Sequence, residues 1–183
     1  MQRGVVLDDA TGEPLAGVFV TARYSGNIPA IADYQTVCYH AAGATTDGQG
    51  RYRLPAKFDS PGILIEKRLQ MSFFKPGYRQ VFYKDGVAKL RKDQSVQEER
   101  FDEMKRMTRV STCDGAGKSE RSLYPLYEAV FNEAKSLVSS KEDVKDLEWI
   151  KSMAASMATA SDEARTQVRA DAEEEQFLRE HLR

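Results

Sequence analysis

Histidine and cysteine are scarce in this chain, with two of each among 183 residues, and tryptophan occurs once. So thin and scattered a supply excludes a structural zinc site of the usual four Cys/His ligands and a haem attached through CxxCH. No HExxH motif is present to build a zinc hydrolase, and no GxSxG elbow to seat a nucleophilic serine. A hydrolase would have to rely on His40, because His181 is one of the final three residues of the sequence, where chain ends usually fray. Long apolar runs are absent as well; none approaches the roughly 18 residues of a membrane-spanning helix. Net charge is also nearly missing: 27 Lys+Arg stand against 28 Asp+Glu, so no overall field draws the chain to DNA or an anionic membrane. No cofactor is expected.

What is present is an ordinary globular composition, 41% hydrophobic and 30% charged, but unevenly distributed. Residues 1–110 hold 17 Lys+Arg and 13 Asp+Glu, whereas residues 111–183 hold 10 and 15. A basic half is followed by an acidic half, which either attract each other or present separate faces to partners.

The first half has the pattern of strands. Val5, Val6 and Leu7 form a β-branched run closed by the turn chemistry of Asp8-Asp9-Ala10-Thr11-Gly12. Residues 17–24 alternate as a half-buried strand does, and Thr45-Thr46-Asp47-Gly48-Gln49-Gly50 signals a hairpin into Arg51–Leu54. Residues 63–74 and 80–83 supply further strands on either side of Lys75-Pro76-Gly77-Tyr78. Tyr24, Tyr52, Phe73, Phe74, Tyr78, Phe82 and Tyr83 suit a sandwich core. The basic stretch 84–92 lacks the interleaved aromatics of a nucleic-acid groove. The expected fold is α+β: an N-terminal antiparallel β-sandwich of about seven strands over 1–92, a connector with a short helix and loop over 93–121, and a helical extension of two to three helices over 122–183.

The second half has the period of helices. Leu123, Leu126, Tyr127, Val130, Phe131, Ala134, Leu137 and Val138 form an amphipathic stripe, with Pro125 in its first turn. Ser140 is an expected N-cap for a second helix, and Ser161 begins a third whose far end is mostly charge. Residues 94–108 also have helical composition, and 111–119 reads as a loop. The Gly117-Lys118-Ser119 triplet imitates the end of a phosphate loop, but Thr112 stands where the first glycine belongs.

The order Thr11-Gly12-Glu13-Pro14-Leu15-Ala16-Gly17-Val18, then Thr45-Thr46-Asp47 with Gly50 and Tyr52, then Lys75-Pro76-Gly77-Tyr78 resembles the carboxypeptidase regulatory-like domain. The resemblance covers about residues 3–85. It implies a transthyretin-like (pre-albumin-like) sandwich serving as a non-catalytic module of secreted and cell-envelope proteins. Residues 25–44 are longer than that pattern needs and read as a binding loop carrying Tyr34, Tyr39 and His40. An envelope setting also implies a disulfide between Cys38 and Cys113, closing about 75 residues, for roughly 4 kcal/mol by the chain-entropy estimate. In a reducing compartment the same residues would be unpaired thiols. The chain starts almost on its first strand, as it would had a signal or lipoprotein leader been removed.

Taken together, these features lead us to expect a periplasmic or envelope protein that binds another protein. Its sharper form is an immunity-type inhibitor of an antibacterial effector, with no nucleic-acid partner and membrane contact only through a removed leader or lipid anchor. Candidate contacts are Tyr34, Tyr39 and His40, together with Asp143, Asp146, Glu173 and Glu174 on the acidic helices. The alternatives are a structural or carbohydrate-binding accessory module and a hydrolase using His40, with a cytoplasmic location as the alternative setting.

Overall fold

The computed structural model describes residues 1–29, 34–55, 64–111 and 120–159. It is an α+β fold: seven strands in two sheets, then helices. The strands are β1 (Gln2–Asp8), β2 (Phe19–Pro29), β3 (Tyr34–Thr45), β4 (Arg51–Leu54), β5 (Ile65–Phe74), β6 (Tyr78–Lys84) and β7 (Val87–Lys92). The helices are α1 (Gln97–Ser111), α2 (Tyr124–Leu137) and α3 (Lys141–Thr159), with a 3₁₀ turn at Glu120–Leu123 before α2. One sheet runs β4-β1-β7-β6 and the other β3-β2-β5.

The turns form as their side chains require. Asp47 Oδ1 accepts hydrogen bonds from the Gln49 and Arg51 amides, both at 2.9 Å, while Gly50 takes a φ of +68°. Thr46 then ties two stretches distant in sequence: its hydroxyl donates to the Leu15 carbonyl (2.7 Å) and accepts from the Val18 amide (2.9 Å). At Lys75–Tyr78, Pro76 and Gly77 (φ +73°) occupy the central positions of a turn closed by the Tyr78 amide on the Lys75 carbonyl at 2.9 Å. That turn carries the chain from one sheet to the other.

Two expectations need correction. First, the sandwich is not wholly antiparallel, because β1 pairs parallel with β7 through Val5–Val87 to Asp8–Leu90. The basic stretch that contributes β7 is therefore a central strand; Ala88 and Leu90 are fully buried while Lys89 and Arg91 point away. Second, residues 25–44 are not a loop. Apart from residues 30–33, outside the described set, they lengthen β2 and β3 into paired strands. Polar residues of this stretch find partners across the strands: Thr36 donates to Asn27 Oδ1 at 2.8 Å, and Asn27 Nδ2 donates to Glu66 at 2.7 Å.

Packing makes three layers. Val6, Val20, Ala22, Tyr52, Leu54, Phe73, Ala88 and Leu90 fill the space between the sheets. The opposite face of β3-β2-β5 is covered by the helices, where Phe19 and Phe74 join Phe101, Met104, Leu126, Val130, Phe131, Leu147 and Ile150 in a second core. Strand β2 thus buries both faces, and its alternation is lost: residues Val20–Ala22 are buried without a break. The helix expected in the connector is α1, 15 residues long, with Phe101, Met104 and Met107 buried. Phe82, expected in the core, is 44% exposed on the outer face of the four-stranded sheet.

A glycine fits the sheet to the helices. An added Cβ at Gly43 would stand 2.5 Å from the Ser122 carbonyl oxygen, and the Gly43 amide donates to Ser122 Oγ at 2.9 Å. We expect Gly43→Ala to cost about 1–3 kcal/mol in urea denaturation, the range for overpacking a filled contact. Gly48→Ala, where a Cβ meets nothing within 4 Å, should stay within about 0.5 kcal/mol of the parent.

Candidate functional site

Arg100, only 4% exposed, is the charged group most deeply placed in the described structure. Its Nε and Nη2 donate to the two oxygens of Glu133 on α2 at 2.7 and 2.8 Å. Its Nη1 faces three acceptors: the Tyr78 carbonyl at 2.7 Å, Glu103 Oε2 at 2.9 Å and Asp93 Oδ2 at 3.2 Å. Two N–H hydrogens cannot serve three acceptors equally. Asp93 Oδ2, though in ion-pair range, is left without a hydrogen bond. Glu133 also accepts from the Gly77 amide at 3.1 Å. One guanidinium therefore binds α1, α2 and the turn between the sheets.

The carboxylates around it respond in opposite directions. Burial pushes the Glu103 carboxyl up from its ordinary value, against the pull of Arg100. Burial also pushes Asp93 up, but the hydrogen bonds from Ser95 and the charges of Arg100 and Arg79 outweigh it and hold that carboxyl low.

Beside this cage, α1 and the start of α3 enclose a cleft of about 410 Å³. Glu98, Asp102, Glu142, Asp143 and Asp146 line it above Phe101, with Lys105 as the one basic side chain among the lining residues. Lys105 Nζ reaches Asp102 at 2.7 Å and Asp146 at 2.9 Å. Asp143 is engaged at the helix start. Its Oδ2 accepts from the amides of Ser139 and Ser140, and the Ser140 hydroxyl accepts from the Asp143 amide at 3.1 Å. Ser140 is therefore the N-cap expected from the sequence. Burial pushes the Asp143 carboxyl up, and those Ser139 and Ser140 contacts more than reverse it.

The other expected contact residues lie elsewhere. Tyr34 begins β3 and is 58% exposed. Further along β3, Tyr39 sits at a register shift: Tyr24 pairs with His40 and Ser25 with Cys38, leaving Tyr39 as the extra residue. The shift turns Tyr39 toward the sandwich and Cys38 toward the helices, where Cys38 packs with Ala41, Leu123, Tyr127 and Ala154. The His40 ring lies 5.5 Å from that of Tyr24. Cys38 thus belongs to the end of α3 that holds Met153 and Ala154, Tyr39 to the core between the sheets and His40 to the Tyr24 ring, whereas Asp143 and Asp146 belong to the start of α3. Cys113, Glu173, Glu174, the expected third helix and the Gly117-Lys118-Ser119 loop lie outside the described residues. Among the described residues no group of three or more His, Cys, Asp or Glu side chains is arranged to hold a metal ion.

Comparison with protein-family models, curated proteins and solved structures finds no match for this chain.

Reading the sequence for sites missed Arg100, Glu133 and Lys105. Within a helix of alternating charge nothing distinguishes a buried arginine from its solvated neighbours. The nearest signal was the Lys75–Tyr78 turn, whose Tyr78 carbonyl and Gly77 amide proved to be the attachment point.

The opposed carboxylates set a pH profile. A carboxyl held low, as in Asp93 and Asp143, adds stability present above its ordinary value of 3.8 and lost as pH falls below it. Glu103 acts in reverse: stability rises as pH falls from neutrality toward its ordinary 4.5. We expect thermal melts to show a mild-acid maximum, and Glu103→Gln to flatten the rise above 4.5 while keeping the fall below 3.8. An unchanged profile in Glu103→Gln would contradict the assignment.

Proposed function

We propose that this protein is a non-catalytic protein-binding module of the bacterial periplasm or envelope, and in its sharper form an immunity-type inhibitor that occludes an antibacterial effector. The observation carrying the reading is the α1–α3 cleft. Five carboxylates around one lysine, over an aromatic floor, suit a basic segment of another protein. The placement of His40 in a paired strand against Tyr24 supports a structural role for that histidine. The turn sequences resembling the carboxypeptidase regulatory-like domain support an envelope setting. No helix among the described residues is long and apolar enough to cross a membrane.

The test is capture by the full chain from envelope extract, compared with Glu98→Lys/Glu142→Lys, followed by identification of the protein retained. A basic protein encoded beside this gene, retained by the parent and lost with the double variant, is the expected result. Equal capture by both proteins would remove the cleft from the reading. Normal fitness of a deletion strain facing its siblings would remove the immunity role.

The same reading includes a disulfide between Cys38 and Cys113. Tyr127 packs in one cluster with Cys38, and its hydroxyl donates to the Thr108 carbonyl at 2.9 Å, so the last turns of α1 approach the strand that carries Cys38. Alkylation of native protein followed by non-reducing mass spectrometry should leave both cysteines unmodified. Two freely alkylated thiols would refute the pairing.

A further inference from the structure

The outer face of the four-stranded sheet is a second surface, of opposite sign. Because Val6, Tyr52, Leu54, Ala88 and Leu90 point inward, the residues alternating with them point outward. Register then sets their neighbours. Arg53 lies beside Arg3, and Arg51 beside Val5. Val5 lies beside Val87 and Leu7 beside Lys89. On the far side, Lys84 lies beside Val87, Phe82 beside Lys89, and Arg79 beside Arg91. Among the described residues, seven cations share this sheet face. Asp9 reaches into them, pairing with Arg91 and Lys89, while Arg51 and Arg53 act on Asp47 and Arg79 on Asp93 through their fields at the margins of the face.

We propose that this face docks an acidic protein surface, one presenting carboxylates around an apolar patch. Arrangement decides the class of partner. Val5, Leu7 and Val87 adjoin on the inner strands β1 and β7, and Phe82 lies across Lys89 on the edge strand β6. The other six cations stand on the edge strands or toward the ends of the inner ones, so an apolar centre crossed by one lysine has a cationic rim, the anatomy of a protein interface. Five of the seven cations are arginines, whose planar forks match carboxylates two bonds at a time. A single-stranded nucleic acid would instead call for a continuous track of cations with several stacking rings, and Phe82 is the one exposed aromatic on this face among the described residues. A lipid surface would use lysine as readily as arginine and would not require the ring.

The face lies on the sheet that the helices do not cover, so it and the α1–α3 cleft are separate surfaces. The chain can bridge an acidic and a basic partner, or two regions of one partner. The imbalance of charge between the two halves of the sequence thereby becomes two addresses on one molecule.

The probe is a fluorescent glutamate–tyrosine copolymer, titrated with the full chain at physiological salt, beside polyglutamate, a short DNA duplex and phosphatidylglycerol vesicles. We expect the copolymer to bind about tenfold more tightly than polyglutamate or either polyanionic control. Arg51→Glu/Arg53→Glu should weaken it about tenfold or more, and Phe82→Ser about threefold to tenfold. Circular dichroism verifies folding, and Arg3→Glu, a single change at an exposed position, replaces the double variant if that fails to fold. Glu142→Lys in the cleft should not weaken copolymer binding, so the two surfaces stand or fall separately. Tighter binding to DNA or vesicles, absence of copolymer binding, or indifference to Phe82→Ser would each overturn the proposal.

Discussion

Arg100 brings a permanent charge into a region sealed from water, and the architecture around it follows from the need to match that charge. A guanidinium at such a site is tolerated only when its donors are all used, because an unpaired buried charge costs several kcal/mol. Here the partners come from α1 itself, from Glu133 on α2, from Asp93 ahead of α1 and from the Tyr78 carbonyl of the inter-sheet turn. Orientation of the helical layer on the sandwich is therefore set by directional bonds rather than by apolar contact alone. Apolar side chains can slide past one another at little cost, whereas a bidentate pair with Glu133 cannot. With three carboxylates for one cation, the cage carries surplus negative charge. Arg79 and Arg106 reach Asp93 and Glu103 respectively through their fields.

The second constraint is the middle sheet. Strands β2 and β5 contribute side chains to both cores, and β3 to the sandwich core and the Cys38 cluster, so the buried positions of this sheet answer to neighbours on both faces. The register shift at Tyr39 reconciles them locally: by reversing the alternation it gives Cys38 to the helices and Tyr39 to the sandwich. Strand β5 departs from regularity at its start, where Glu66 takes a φ of +49° and the exposed stretch Glu66-Lys67-Arg68 occupies a sheet edge. Charges and a bulge at an edge discourage a further strand from adding on.

How much of this was legible depends on the range of each interaction. Turns and caps rely on residues a few positions apart, so Asp47–Gly50, Lys75–Tyr78 and Ser140 with Asp143 were readable. The stripe of Leu126, Tyr127, Val130 and Phe131 fixed α2 for the same reason. The parallel neighbour of β1 was not readable, because it lies at the far end of the sandwich sequence. Strand β7 was obscured by its lysines and arginines, which report only its outer face. The basic face was hidden for a related reason: its cations come from four strands scattered through the first 92 residues, and register assembles them. The cleft was half visible. Asp143 and Asp146 stood out as acidic, but Lys105 and the α1 wall opposite them did not.

The helical layer has an effect on how the chain can be divided. To the eye, residues 1–92 look like a module that could be excised and moved. Removing the helices would strip Phe19 and Phe74 of their cover and leave a three-stranded sheet with one apolar face turned to water. Such a fragment has a strong tendency to associate with its own kind. The helices are thus the solubilising coat of the sandwich as much as a separate appendage.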